Sequence, residues 1–483
     1  MRSAARLALP LALGLASCGA QPAYAIDDFF PGFGNNGYDV QRYDLALRID
    51  ADRHRIEDGK AVLTIRATTD LAAFALDLSG LQVTRVLVDG GAALFTRDGG
   101  KLRVRPARRI ARGARFTVEV SYRGEPAAID DPTSSDPELL RLGWLNWNDT
   151  SYVLSEPVGA STWYPVNDEP TDKASYRVAV TVEKPYTAVS NGVLASVTDQ
   201  GARRRFVWEQ REPMASYLAI VDVGRWRLER LSAGERDVPI RLYTTPRTPP
   251  ETLAAFRQTP AMLELFEGLV GPYPFRSYGS VVIGDPELYY ALETQAMSTF
   301  PDRVVSETTV AHELAHQWFG NSVTVAQWRD LWLAEGFATY FEFLWEYRGD
   351  RPGFNAALRQ LYRDTRRDGV GPAVVDRPED IFAPNTYDRG ALTLHALRLR
   401  VGDQKFFRIL RAFHARYAGR NATSADFIAT AVRESGDAGV RGLLRAWLYE
   451  QPVPPLSGAE AALVEAEGDT GPRRQAAPAV RRR

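Results

Sequence analysis

Ala311-His312-Glu313-Leu314-Ala315-His316-Gln317-Trp318-Phe319-Gly320-Asn321, followed by Asp330-Leu331-Trp332-Leu333-Ala334-Glu335-Gly336-Phe337-Ala338, is the pair of stretches that decides how this chain is read. The first contains His-Glu-x-x-His within a run of helical spacing. Two histidines four apart lie on one helix face about one turn from each other, so their imidazoles can converge on a single ion. Zinc takes a third protein ligand and, in a catalytic site, keeps a fourth position open for water. Glu335, at the start of a second helical run (334–347), is the candidate third ligand. Glu313 is placed to face that water as a general base without ligating the metal. A bare His-Glu-x-x-His also arises by chance in helices, with its histidines at the surface or satisfied in a core. The chain spends two of its 5 histidines here. The remaining three, His54, His395 and His414, have no partners at ligand spacing and read as structural.

Around this segment the hydrophobic periodicity divides the chain. From about residue 249 onward, runs such as 253–270, 308–320, 331–347 and 391–401 carry helical spacing. Between about residues 40 and 226 the period is two, as in Tyr43-Asp44-Leu45-Ala46-Leu47-Arg48-Ile49 and Tyr176-Arg177-Val178-Ala179-Val180. Turn signals Asp89-Gly90-Gly91 and Asp98-Gly99-Gly100 punctuate these strands. The expected fold is multidomain α+β, an antiparallel β domain over 26–230 followed by a mainly α domain over 231–455.

At 483 residues the chain is too long for one ordinary core. Lys plus Arg number 59 against 60 for Asp plus Glu, so no overall field favours nucleic acid. Residues 1–25 read as an export signal, with Arg2 and Arg6 ahead of the apolar run 7–16, which is too short to span a bilayer. Leu15-Ala16-Ser17-Cys18 resembles a lipobox, and Cys18 is the one cysteine of the chain. The expectation is an envelope lipoprotein anchored at Cys18, with cleavage after Ala25 and a periplasmic or secreted product as the alternative. Residues 456–483, rich in Ala, Glu, Gly, Pro and Arg, read as a disordered tail.

The two opening stretches together resemble the zinc core of the aminopeptidase N family of gluzincins. Tyr164-Pro165-Val166-Asn167-Asp168-Glu169-Pro170 with Lys173-Ala174, then Ser190-Asn191-Gly192, then Pro213-Met214-Ala215-Ser216-Tyr217-Leu218, extend the resemblance into the β region. It covers about residues 38–455. It implies a saddle-like N-terminal β domain, a thermolysin-like catalytic domain with one zinc ion on His312, His316 and Glu335, and peptide substrates with a free N-terminus.

The resemblance also implies further site residues. Where the family carries Gly-x-Met-Glu-Asn, this chain has Tyr290-Ala291-Leu292-Glu293-Thr294. Glu293 would hold the substrate's α-amine and Ala291 would lie on the backbone ledge, while Tyr290 and Thr294 depart from the pattern. Counting back nine residues from Pro165 gives Glu156 as a second amine-binding carboxylate. Tyr387 in Tyr387-Asp388-Arg389-Gly390 matches Tyr-x-Lys-Gly apart from arginine for lysine, and would donate to the developing oxyanion. Asp330 suits either an acceptor for a ligand histidine or a helix cap. A zinc endopeptidase and a catalytically silent peptide-binding protein remain as alternatives, and the sequence leaves oligomeric state open.

Overall fold

The computed structural model describes residues 27–134, 141–234 and 236–456. The leader with Cys18 and Ala25 lies outside the described residues, as does the expected tail beyond Leu456. Among the described residues no helix is long and apolar enough to cross a membrane.

The β region is built on an eight-stranded sheet in the order 193–200, 203–214, 174–183, 38–50, 55–67, 115–124, 82–88, 91–92. Alternation of apolar residues fixes its register, because a one-residue slip would turn Tyr43, Leu45, Leu47 and Ile49 out of the core. The expectation of a purely antiparallel domain needs one correction. Strand 38–50 runs parallel to 174–183, pairing Tyr43 with Tyr176, and their rings stack at 4.8 Å. That aromatic contact, unlike a turn, joins residues far apart in the chain. A five-stranded sheet, in the order 187–190, 221–224, 150–154, 141–147, 129–130, lies beyond the first in the chain's topology.

The helical region holds a sheet that the sequence reading did not anticipate. Strands 227–233, 238–244, 278–283 and 298–301 form four neighbours, the last two pairings parallel. Every residue of 278–283 and 298–301 is buried, which removes the alternation that identifies a half-exposed strand. The hairpin 227–244 runs across the expected boundary at residue 230. The helical run 253–270 is two helices, 250–256 and 259–270.

Helices 307–315, 332–346 and 390–401 carry the remaining architecture relevant to the site. Ser306 caps the first by accepting from the Thr309 amide at 3.1 Å. Helices 332–346 and 390–401 cross where two glycines meet. A Cβ on Gly336 would lie 2.7 Å from Gly390 backbone atoms, so no larger residue fits without separating the helices. Residues 27–35 strap the two regions together. Asp27 accepts from the Trp328 amide at 2.7 Å, Phe30 packs edge-on to Trp328, and Asn35 donates to Asp77 at 3.0 Å.

The three structural histidines lie apart from the site cluster. His54 meets Ser151 at 2.9 Å and His414 meets Ser322 at 3.2 Å. His395 is buried beside Tyr340 and Phe354 with neither ring nitrogen hydrogen-bonded among the described residues. Burial, with help from Arg398, Arg359 and Arg351, pulls its pKa down to about 3. Its folded pKa lies below that of the unfolded chain, so the stability it contributes is complete above about pH 6.5 and is lost as pH falls toward 3. The slope approaches about 1.4 kcal/mol per pH unit. His414, pulled down to about 4 by burial, acts in the same direction. Urea midpoints compared at about pH 7 and about pH 4 are therefore expected to fall less in His395→Phe than in the wild type.

Candidate active site

His312 lies in the last turn of helix 307–315, and His316 caps its C-terminus. Their rings meet edge to face with centroids 4.6 Å apart. Glu335 occupies the first turn of helix 332–346. Its Oε2 stands 3.2 Å from His312 Nε2 and 3.4 Å from His316 Nε2. A tetrahedral ion with bonds of about 2.0–2.1 Å separates its ligand atoms by about 3.3–3.4 Å. The three groups therefore fit one zinc ion, and their nitrogen and oxygen donors suit it chemically.

The outer nitrogens are also held. His312 Nδ1 lies 2.6 Å from Glu342 Oε1, and His316 Nδ1 lies 3.2 Å from the Phe319 carbonyl. When each Nδ1–H donates there, each Nε2 lone pair is left for the metal. Glu342 was missed by the sequence reading, although it lies two helical turns after Glu335 and so on the same face. Asp330, weighed for this role, instead accepts from the amide of Ser424 at 3.2 Å and from its hydroxyl at 2.5 Å. It braces the start of helix 424–435, whose N-cap is Thr423, and so fills neither expected role.

Four carboxylates crowd this centre, and all four are buried. Oxygens of Glu156, Glu293 and Glu335 lie within 4.8 Å of one another, and atoms of Glu293, Glu313 and His316 do the same. Burial pushes the Glu313 carboxyl up to about 8 against the pull of His312 and His316. Burial, seconded by the Glu335 carboxylate, likewise raises Glu293, against the opposing pull of His316. At Glu335 burial is outweighed by His316 and His312, which hold it down at about 2. Burial would lower the His312 pKa, but hydrogen bonds to Glu335 and Glu342 raise it well above the usual value. Tyr217, absent from the expected site residues, sits in the same field. Burial first and then Glu293, Glu156 and Glu335 push its phenol well up.

Leu292 exchanges backbone bonds with Thr299 at 2.9 and 2.8 Å, making 291–293 an added edge on the buried sheet. Strand alternation turns the backbone groups of Ala291 and Glu293 the other way. Tyr387 is buried in a π-helical turn over 385–389, its ring 6.2 Å from that of His312 and nearly parallel to it. Arg389, the departure from the Tyr-x-Lys-Gly pattern, is fully buried. It donates to Trp447 O at 2.8 Å, Ala446 O at 3.2 Å and Val370 O at 3.3 Å, and also to Glu450 O. A planar fork can reach several carbonyls at once, whereas an ammonium is a compact point donor.

A metal pair of histidines on one helix, a glutamate on the next, and a general-base candidate between the histidines define a gluzincin-type zinc peptidase site. The chain belongs to peptidase family M1. Residues 40–218 match the Peptidase M1 N-terminal domain, and residues 258–447 match the Peptidase family M1 domain. Glutamyl aminopeptidase of Bos taurus is 27% identical over 464 residues, spanning 86% of this chain and 47% of that protein. Aminopeptidase M1-B of Oryza sativa subsp. japonica is 29% identical over 350 residues, spanning 66% of this chain and 40% of that protein. This chain thus spans less than half the length of these relatives. An M1 zinc metallopeptidase from Deinococcus radiodurans superposes with a TM-score of 0.81 at 33% identity, covering 89% of this chain and 98% of that one. A mutant of it, bound to a Tyr-Ser-Ala substrate, superposes with a TM-score of 0.82. Zinc is the metal of this family.

Loss of Glu342 would free the His312 ring to rotate and remove the acceptor that fixes its tautomer. Glu342→Ala is expected to weaken zinc binding by about 10- to 100-fold, read by competition with a chelator.

Proposed function

We propose that the protein is a zinc-dependent aminopeptidase that removes residues one at a time from the N-terminus of peptides. The observation that carries this reading is the closeness of Glu156 and Glu293 to Glu335, three carboxylates within 4.8 Å at one end of the metal centre. Such an end attracts an ammonium group and accommodates little chain beyond it. The Tyr-Ser-Ala peptide held by the Deinococcus radiodurans relative supports a peptide as substrate.

Zinc bound by His312, His316 and Glu335 supplies Lewis acidity, polarising the scissile carbonyl and easing deprotonation of water. Glu293 and Glu156 fix the substrate ammonium, which sets the first peptide bond over the centre. Glu313 takes the proton of the attacking water and passes it to the leaving amine, a role suited to a carboxyl whose buried site raises its pKa toward neutrality. Tyr387 donates its phenolic proton as a hydrogen bond to the oxygen that gains charge in the transition state, where such a bond is worth most.

Glu313→Gln is expected to retain zinc and lose about 10²- to 10⁴-fold in kcat, by analogy with loss of a general base. A peptide with a free N-terminus is expected to be cleaved well ahead of its N-acetylated twin. Equal rates would overturn the amine-anchor assignment in favour of an endopeptidase.

We further propose that the protein is exported and anchored to the cell envelope through a lipidated Cys18. The support is Arg2 and Arg6 before the apolar run 7–16 and the Leu15-Ala16-Ser17-Cys18 signature. Metabolic labelling with palmitate should mark the wild type and vanish in Cys18→Ser; undiminished secretion of unlabelled wild-type protein starting at Ile26 would point to cleavage after Ala25 instead.

A further inference from the structure

We propose that Gln317, Asn321 and Asn191 are positioning residues that hold the amine-anchor segment 291–297, and through it Glu293, in register with the metal ligands. The proposal rests on the aminopeptidase reading, and it adds that recognition of the substrate's N-terminus depends on docking of the N-terminal β domain.

Segment 291–297 has little regular structure to hold it. Leu292 pairs with Thr299, Thr294 and Met297 close a turn at 3.1 Å, and Ala296 adopts a left-handed φ of 61°. A non-glycine residue persists in that region only where its surroundings enforce it. The enforcing groups are side-chain amides. Gln317 lies one turn beyond Glu313. Its Oε1 accepts from the strained Ala296 amide at 2.8 Å, and its Nε2 donates to Glu293 O at 3.1 Å and Glu313 O at 3.2 Å. Asn321 Nδ2 donates to the same Glu293 carbonyl at 2.6 Å. The backbone of the amine anchor is thereby bonded to the first and fifth residues after His316, on the segment that supplies a metal ligand.

The β domain completes the clamp. Asn191 Nδ2 donates to Gln295 O at 2.8 Å and to Leu218 O at 2.9 Å, while its Oδ1 accepts from Ile220 at 2.8 Å. Lys173 Nζ donates to Asn321 O at 2.8 Å and Ser322 O at 3.0 Å, fixing the loop from which Asn321 reaches Glu293. Gln317 and Asn321 are fully buried and Asn191 is nearly so. Water therefore cannot replace these bonds cheaply. Thr294 adds a local brace, its hydroxyl bonding Met297 O and Thr299. The anion that meets the substrate ammonium is thus fixed by groups that touch neither substrate nor metal. A displacement of about 1 Å at such a point can cost on the order of 10²-fold in rate.

The test uses the full-length zinc enzyme and a peptide amide in free and N-acetylated forms. Gln317→Met keeps the side-chain length and removes both bonding groups; Asn191→Asp keeps the acceptor for Ile220 and removes the donors to Gln295 and Leu218. Both are expected to keep one zinc per chain and to raise KM for the free peptide about 10-fold with a smaller change in kcat. Cleavage of the acetylated peptide should stay at its wild-type level, so that the ratio of the two rates falls. Zinc-loaded variants with wild-type KM would overturn the proposal. So would failure of both variants to fold, which would assign these amides to stability alone. A wild type that does not distinguish the two peptides would instead refute the amine-anchor reading itself.

Discussion

Everything at the centre of this protein depends on burying negative charge beside two imidazoles. Two carboxylates 4.8 Å apart repel by roughly 3.5 kcal/mol at an effective dielectric of about 20, and oxygens of Glu156, Glu293 and Glu335 lie within that distance of one another. Proton uptake or a divalent cation relieves that repulsion. Burial, with the Glu293 and Glu335 carboxylates, raises the pKa of Glu313, whereas at Glu335 the attraction of His316 and His312 outweighs burial and holds it down. A zinc ion on the two histidines and Glu335 answers the repulsion with positive charge at the point of convergence. The same geometry keeps Glu156 and Glu293 buried beside Glu335, the concentration of negative charge on which the proposed recognition of an ammonium rests.

Holding charges in this arrangement requires rigid surroundings, and these come from both regions of the chain. Helix 307–315 gives the histidines and Glu313, while helix 332–346 gives Glu335 and its outer partner Glu342. The Gly336–Gly390 crossing brings the backbone of helix 390–401 against the helix of Glu335, which sets the height of Tyr387 beside His312. Arg389 ties that turn to the carbonyls ending helix 439–449. The β domain contributes Glu156, Tyr217, Lys173 and Asn191, and the strap at Asp27 and Phe30 reaches Trp328, just ahead of the helix that carries Glu335. The site is therefore a product of domain docking rather than of the helical region alone.

The departure Thr294 takes on a definite meaning in this setting. Thr294 closes its own turn, and the carbonyl of Glu293 is braced by amides from elsewhere. The bonds that Gln317, Asn321 and Asn191 make to the loop go to its backbone carbonyls and amides, groups that every non-proline residue supplies.

The sequence by itself determined the local geometry. Histidines four apart must share a helix face, and period-two alternation over 43–49 must give a strand with one buried side, since both follow from backbone periodicity. It could not reveal the sheet 227–301, whose strands 278–283 and 298–301 are buried throughout and lose their alternation. Nor could it choose between Asp330 and Glu342 as partner of His312. Each is a carboxylate on or beside the same helix, and only packing against Ser424 on one side and His312 on the other separates them. Glu156 and Glu293 are 137 positions apart in the chain. Their meeting with Glu335 is decided by tertiary structure, because spacing along a backbone governs contacts within an element and says nothing of which elements are pressed together.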